Sequence, residues 1–255
     1  MQQQQHHPST HHQGRVLFIS DLHLCETRPA ITQRFLQFLD EDGGGAEALY
    51  ILGDLFEYWA GDDDLETMFH QQIISAFAKL SKKGTQLFLM HGNRDFLIGN
   101  TFCQAAKVTL LKDPTLIQLG QLTALVSHGD ALCTDDSAYQ AMRQQFREPT
   151  WQAQFLAQPL SVRKAQISNI RMQSEAAKAT KSMEIMDVNP DAVSALLAEF
   201  NFPPIFIHGH THRPHAHLIQ HNGHQQTTRY VLGDWYEQGS YLVFEAGNIQ
   251  SVQLI

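Results

Sequence analysis

The sequence predicts an α/β fold, a layered core of mixed sheets flanked by helices, with a helical cap inserted into it. Five short apolar segments alternate with stretches of helical periodicity, which is typical of strands that lie side by side in a parallel or mixed sheet. Each of the five ends in a glycine or serine followed by a carboxylate, amide or imidazole side chain. Ligands of such folds bind beyond the carboxyl ends of the strands, so this edge is the expected functional site.

The five apolar segments, each four or five residues long, are the predicted core strands: residues 15–19, 48–52, 86–90, 122–126 and 204–207. Apolar residues recur at helical spacing over 31–39 and 69–80, which places helices between the first three strands. After the fifth strand, Asn222-Gly223 predicts a hairpin turn, and the last strands are expected at 230–232 and 242–244.

The middle of the chain, from about Tyr139 to Lys181, has only helical patterns, broken by Pro149 and Pro159, and is the predicted helical insert. Between positions 137 and 183 the chain carries seven cations and two carboxylates, a net charge of +5, while the rest carries −13. Such an asymmetry indicates a segment that has a partner of its own.

The composition bounds the class of protein. A chain of 255 residues with 43% hydrophobic residues suits one large domain, expected here at 15–255. Residues 1–14 are polar and of low complexity, and we expect them to form a disordered tail in which nothing is buried. A formal net charge of −8 argues against a general nucleic-acid-binding surface, and no protein partner is evident. Three cysteines without a CxxC pair fit a reducing compartment, and no apolar run reaches the roughly eighteen residues that span a bilayer.

Seven side chains at the strand ends form a candidate metal site. They are Asp21, His23, Asp54, Asn93, His128, His210 and His212. This set suits two divalent cations that share a bridging carboxylate. Each residue taken alone is more often structural, because an aspartate after a strand commonly caps the next helix. The prediction therefore depends on their joint occurrence. Along an extended chain, His210 and His212 would be about 6.5 Å apart, enough to contact two neighbouring ions.

The order of these motifs resembles that of the calcineurin-like metallophosphoesterases, whose pattern is D-x-H, G-D, G-N-H-[DE], H and G-H-x-H. The resemblance runs from Asp21 to His212 and implies two Mn²⁺ ions. It assigns to the first ion the ligands Asp21, His23, Asp54 and His212. It assigns to the second ion the ligands Asp54, Asn93, His128 and His210. Arg94 stands where the family has a histidine, and we expect its guanidinium to clamp phosphate oxygens without donating a proton.

Further motifs resemble the branch of this family that cleaves the pyrophosphate bond of UDP-linked diacylated glucosamine in lipid A biosynthesis, releasing UMP and the acylated sugar phosphate. They are DLHL, GDLFEYW, GNRDF, SHGD, KSMEIMDVN, GHTHRP and VLGDW. The resemblance makes Asn93, Arg94 and His210 catalytic and substrate-binding residues. It also places four residues along the substrate groove: Asp136 and Ser174 at the sugar, Lys181 at phosphate, and Lys178, where close relatives are expected to have an amide.

The helical insert would then be a cap over that groove. Leu160, Ile167, Ile170 and Met172 offer apolar faces for acyl chains, and the cations among them would meet phosphate or an anionic membrane. We therefore expect a cytoplasmic protein that is peripheral on the inner membrane.

Two alternatives stay open from the residues. One is a phosphodiesterase or phosphomonoesterase that acts on nucleotides or phosphoproteins, and the other is a binding scaffold that has lost its metals. Three neighbouring features are interpreted as structural: His208 beneath the site, Gly233-Asp234, and residues 62–64 as a solvated acidic loop.

Overall fold

The computed structural model describes residues 10–178, 185–221, 223, 225–237 and 239–254. Its strands are β1 (His11–His12), β2 (Val16–Ile19), β3 (Ala48–Leu52), β4 (Gln86–Met90), β5 (Thr109–Leu111), β6 (Thr115–Leu119), β7 (Leu122–Ser127), β8 (Ile205–His208), β9 (His215–Gln220), β10 (Gln226–Val231), β11 (Ser240–Glu245) and β12 (Asn248–Gln253). Its helices are α1 (Pro29–Glu41), α2 (Met68–Lys82), α3 (Asn100–Ala106), α4 (Ser137–Arg147), α5 (Pro149–Leu156), α6 (Leu160–Lys178) and α7 (Pro190–Glu199). The predicted class, mixed sheets flanked by helices, is confirmed.

Within the described residues, two six-stranded sheets form the core. The first has the order β12-β11-β2-β3-β4-β5, and the second has the order β1-β6-β7-β8-β10-β9. Strands β2 to β5 are parallel neighbours, as are β7 and β8 in the second sheet. The parallel strands of each sheet therefore deliver their following loops to one edge of that sheet.

Alternation along the strands separates the layers of the core. Leu17 and Ile19 of β2 pack with α1 and α2 on one face of the first sheet, whereas Val16 and Phe18 pack against the second sheet. Helix α7 covers the outer face of the second sheet. Because strands such as β2 and β3 are buried on both faces, they read as continuous apolar runs in the sequence.

The N-terminal segment differs from the expectation. Strand β1 pairs in parallel with β6, and His12 is fully buried. His12 Nδ1 lies 2.9 Å from Glu47 Oε1, and its Nε2 lies 2.7 Å from the hydroxyl of Tyr50. The expectation that nothing in 1–14 is buried is therefore wrong for His12, because two distant polar groups satisfy its ring; residues 1–9 lie outside the described residues.

The middle block contains α4, α5 and α6, and core carboxylates pair with its cations. Arg163 is 1% exposed and donates to Asp63 and to the carbonyl of Ala60. Lys164 Nζ lies 2.7 Å from Asp64 Oδ2. Two expectations are corrected here. Asp64 is buried, so residues 62–64 are not a wholly solvated loop, and the buried Arg163 is not available to phosphate or a membrane, because ion pairing attaches α6 to the core.

Candidate metal centre

The loops that follow five strands bring the seven candidate side chains together. Asp21 and His23 follow β2, Asp54 follows β3 and Asn93 follows β4 in the first sheet. In the second sheet His128 follows β7, and His210 and His212 follow β8. The cluster therefore lies where the carboxyl ends of the parallel strands in the two sheets meet.

Two glycines permit this close approach. A Cβ at Gly53, where φ is +91°, would lie 2.5 Å from His128 Nδ1 and 2.7 Å from the Cα of Gly92. A Cβ at Gly92 would collide with Asp54 Oδ1. Gly53 and Gly92 are therefore required by packing, and Gly53 by its positive φ as well.

Five of the seven side chains arise from strained backbone. Asp21, His23, Asp54, His210 and His212 all have φ between +50° and +69°, a region that non-glycine residues seldom adopt. The expectation that His210 and His212 lie on an extended chain is therefore wrong: β8 ends at His208, and a left-handed turn aims the two rings. Such strain is typical of functional sites.

The first half-site consists of Asp21, His23, His212 and one oxygen of Asp54. His212 Nε2 lies 3.2 Å from Asp21 Oδ1 and 3.4 Å from His23 Nε2. His23 Nε2 lies 4.0 Å from Asp21 Oδ1 and 3.8 Å from Asp54 Oδ2. Four potential ligand atoms thus converge on one small volume.

The second half-site consists of Asn93, His128, His210 and the other oxygen of Asp54. Asn93 Oδ1 lies 2.9 Å from His210 Nδ1 and 3.2 Å from His128 Nε2, and His128 Nε2 lies 3.8 Å from Asp54 Oδ1. Asp54 therefore turns one oxygen to each half-site. Asp21 also lies between them, since its ligand atoms group with those of His23 and His212 and with those of Asp54 and His128, each group within 4.8 Å.

Electrostatics divides the histidines into two kinds. Burial alone would lower the pKa of His128 and of His212, but nearby aspartates raise these pKa values to about 9 and about 10. Burial lowers the pKa of His210 to about 3. It raises the pKa of Asp54 to about 7, and the charges of Asp95 and Asp21 add to this. Without cations, protons on two imidazoles balance the buried carboxylates.

This donor set fits divalent cations. Two buried carboxylates, an amide oxygen and four imidazoles match the ligands that such ions prefer. His23 Nδ1 is buried without a hydrogen-bond partner among the described residues, and the neutral tautomer with its proton on Nδ1 leaves Nε2 open to a metal. The grouped residues thus form a candidate divalent-metal site.

Carboxylates outside the seven support the site, and the sequence analysis missed them. Asp95 is fully buried and accepts from the amides of Leu55 and Gly92, at 2.7 and 2.8 Å, which holds the Asp54 and Asn93 loops together. Asp234, interpreted as structural, lies 3.3 Å from His212 Nδ1 through Oδ2. In the sequence, the one indication of these supporting roles is that Asp95 lies in the GNRDF motif and Asp234 in the VLGDW motif. His208 is fully buried and lies 3.0 Å from an Arg229 nitrogen, as predicted.

A third carboxylate holds the cap to the second half-site. Asp130 is fully buried; it accepts from Arg143 Nε at 2.8 Å and from the Tyr139 hydroxyl at 3.0 Å. The ring of Tyr139 stacks on that of His210 at 5.7 Å between centroids. Tyr139 of α4 therefore contacts a candidate ligand directly, whereas Arg143 reaches the site through Asp130.

The predicted groove residues are only partly described. Asp136 caps α4, accepting from the amide of Tyr139 at 3.1 Å, and is 9% exposed. Ser174 is half-buried on α6. The side chain of Lys178 and all of Lys181 lie outside the described residues. Their contacts with substrate stay a prediction.

The sequence matches the family model of the calcineurin-like phosphoesterases over residues 14–214. The chain belongs to this family. The predicted family is therefore confirmed, and the matched range includes the seven candidate ligands.

Three relatives that match this chain over most of its length have the same name. A protein from Aromatoleum aromaticum named UDP-2,3-diacylglucosamine hydrolase is 50% identical over 226 residues, covering 89% of this chain and 91% of the relative. A protein of the same name from Xanthomonas axonopodis pv. citri is 49% identical and covers 93% and 98% of the two chains. One from Cellvibrio japonicus is 48% identical, with 88% and 92% covered.

Proposed function

We propose that this protein hydrolyses the pyrophosphate bond of UDP-2,3-diacylglucosamine, giving 2,3-diacylglucosamine 1-phosphate (lipid X) and UMP, a step of lipid A biosynthesis. The observation that supports this most strongly is near-half identity, over almost the full length, to hydrolases named for that substrate. The convergence of seven metal-type side chains supports metal-dependent hydrolysis as its chemistry.

Two ions, with Mn²⁺ as the proposed metal, would occupy the two half-sites. Asp54 supports a count of two, because its oxygens diverge, each 3.8 Å from a histidine of a different half-site. When bound, a pair of divalent ions activates water and neutralises charge on a phosphate. The protein fixes the positions of the ligands through its strained loops and close-packed glycines.

Arg94 and two ligands are proposed to act on the substrate. Arg94 borders the first half-site, with Nη1 3.7 Å from Glu57 Oε1, and its guanidinium is suited to hold two phosphate oxygens. The backbone amide of Arg94 donates to Asp54 Oδ1 at 2.8 Å, which ties the clamp to the metal centre. Asn93 and His210 would orient the phosphate from the second half-site.

The cap would bind the acylated sugar and place the enzyme at the membrane. Asp136, Ser174, Lys178 and Lys181 are the proposed groove residues, which contact the sugar and phosphate. Most cap cations with described side chains pair with core carboxylates, so apolar contacts would carry peripheral association with the inner membrane from the cytoplasmic side. No helix within the described ranges is long and apolar enough to cross a bilayer.

Exposed apolar residues of the cap make the membrane proposal testable. Met172 on α6 is 62% exposed, and Leu218 on the edge strand β9 is 61% exposed. We expect Met172→Asp to reduce co-sedimentation with anionic vesicles and Leu218→Asp to leave it unchanged. Equal binding by both variants and the wild type would contradict docking through the cap.

Product analysis together with metal counting tests the reaction. Purified protein loaded with Mn²⁺ should release UMP and the acylated sugar phosphate from UDP-2,3-diacylglucosamine, with two metals per chain. Asp54→Ala should lose both ions and activity more completely than Asp21→Ala. Each Asp54 oxygen lies 3.8 Å from a histidine of a different half-site, whereas Asp21 Oδ2 accepts from the amide of His210 and the hydroxyl of Ser20. Release of phosphate from nucleotides without cleavage of the lipid would indicate a generic phosphoesterase, and absence of metal would indicate a scaffold.

A further inference from the structure

Glu57 lies outside the seven candidate ligands, yet its carboxylate contacts four functional groups. It is 7% exposed and follows β3 in the same loop as Asp54. Its Oε2 accepts from Arg28 at 2.5 Å and lies 3.6 Å from His23 Nδ1. Its Oε1 accepts from Arg171 at 2.6 Å and lies 3.7 Å from Arg94 Nη1. One buried carboxylate therefore faces a metal ligand, the proposed phosphate clamp and the cap.

The contact with His23 has a chemical consequence. A histidine that binds a metal through Nε2 carries its proton on Nδ1, and an acceptor for that proton fixes the ring and strengthens the ligand. His23 Nδ1 is buried and lacks a hydrogen-bond partner among the described residues. Glu57 Oε2 lies 3.6 Å from it, about 0.4 Å beyond the usual N–H···O range. A small shift of the ring would complete this bond.

Aromatic and cationic groups confine the same ring. Tyr236 stacks on His23 with ring centroids 5.1 Å apart and planes 4° from parallel. The guanidinium of Arg28 lies 4.8 Å from the centroid of the Tyr236 ring, and Arg28 also donates to the carbonyl of His23 at 2.5 Å. Glu57 thus holds Arg28 in place, and Arg28 in turn supports the backbone of His23 and the ring of Tyr236.

The contacts with Arg94 and Arg171 couple the site to the cap. Three guanidinium groups, those of Arg28, Arg94 and Arg171, approach the one carboxylate of Glu57, which therefore holds cations from three separate segments close together. Arg171 belongs to α6, and its contact with Glu57 brings that helix to the edge of the first half-site. A cavity of about 580 Å³, lined in part by Arg28, Glu57, Arg171 and Tyr236, adjoins this point.

We propose that Glu57 is a positioning residue that aligns His23 for the metal, Arg94 for the phosphate and α6 for the acylated substrate. The part concerning Arg94 and α6 rests on the proposed function, whereas the part concerning His23 depends only on metal binding. Asp64 provides a matched comparison, since it is buried and pairs with Lys164 of the same helix at 2.7 Å but has no described contact with His23 or Arg94.

The test compares Glu57→Gln with Asp64→Asn, both replacements of a carboxylate by its amide. Mn²⁺ affinity is measured by calorimetry, and kcat and KM are measured on UDP-2,3-diacylglucosamine and on bis(p-nitrophenyl) phosphate, which lacks acyl chains. For Glu57→Gln we expect Mn²⁺ affinity about 10–100-fold weaker and kcat lower by a similar factor on both substrates. For Asp64→Asn we expect only a higher KM for the lipid.

A third variant separates positioning from folding. Glu57→Asp keeps the charge on a shorter side chain and should recover part of the lost metal affinity and kcat. If Glu57→Gln does not fold, as judged by circular dichroism, Glu57→Asp is compared with wild type instead, and an unchanged affinity and kcat would overturn the proposal. So would a Glu57→Gln variant that matches Asp64→Asn. If the wild type leaves the lipid intact, the proposed function fails, while metal affinity and the small diester still test Glu57.

Discussion

Metal binding should release protons, because two of the candidate ligands hold protons in the metal-free protein. The pKa values of His128 and His212 are raised to about 9 and about 10, and that of Asp54 to about 7. A metal ion binds the deprotonated forms, so it must displace these protons. At pH 7.5 the histidines are almost fully protonated and Asp54 is partly so, and we expect about two protons to be released per chain.

The pH dependence follows from the same groups. The overall constant for binding both ions should rise by about two decades per pH unit near pH 7.5, or about one decade for each ion, because the slope equals the number of protons released. At pH 9.5, where His128 has largely lost its proton and His212 has not, release should fall to about one proton. Above the pKa of His212 the affinity should become independent of pH. Calorimetric titration with Mn²⁺ in buffers of different ionisation enthalpy measures the number directly.

Two neighbouring histidines provide the control. His212→Gln removes a ring that is protonated at pH 7.5, so release should fall by about one proton. His210→Gln removes a ring whose pKa is lowered to about 3, so affinity should weaken while the number of protons stays at about two. Equal proton release by the two variants, or release below about half a proton by the wild type, would refute this reasoning.

Two substitutions test the clamp and the loop packing. Arg94→His should lower kcat about 100-fold without changing metal content, because the backbone amide that donates to Asp54 is retained; a fully active variant would contradict the clamp. Gly92→Ala should weaken Mn²⁺ binding about 10–100-fold, since the added Cβ collides with Asp54 Oδ1. Gly84→Ala is its control: nothing lies within 4 Å of that Cβ, but φ is +103°, so stability should fall by about 1 kcal/mol while metal affinity is unchanged. Calorimetry and thermal unfolding distinguish these results.

The layered core follows from local patterns in the sequence. Runs such as residues 48–52 and 87–90 lie in β3 and β4, because strand positions buried on both faces of a sheet are apolar. Strands β5, β6 and β12 were not predicted. Each is partly exposed, so it mixes polar and apolar residues, and only its pairing in the sheet defines it as a strand.

The candidate ligands were predictable because each follows a strand end, and strand ends converge in this class of fold. Their close approach is consistent with that prediction, since Asn93 Oδ1 contacts rings from two separate loops. The geometry of the last loop was not predictable from spacing. His210 and His212 have positive φ angles, a backbone state that non-glycine residues adopt only where the surrounding structure enforces it.

The sequence by itself determined the fold class, the family and the set of metal-type side chains, because these depend on local periodicity and on motif order. Only the tertiary structure decided which ion pairs the charged residues outside the metal site form. The acidic run at 62–64 was interpreted as solvated and the cap cations were expected to meet phosphate or a membrane, yet Asp63 and Asp64 hold Arg163 and Lys164 against the core. Glu57 lies within the GDLFEYW motif, but the sequence does not show what it contacts, since its partners come from three separate segments. Burial and ion pairing between distant segments are properties of the folded chain, and they determine which carboxylates are structural and which support the site.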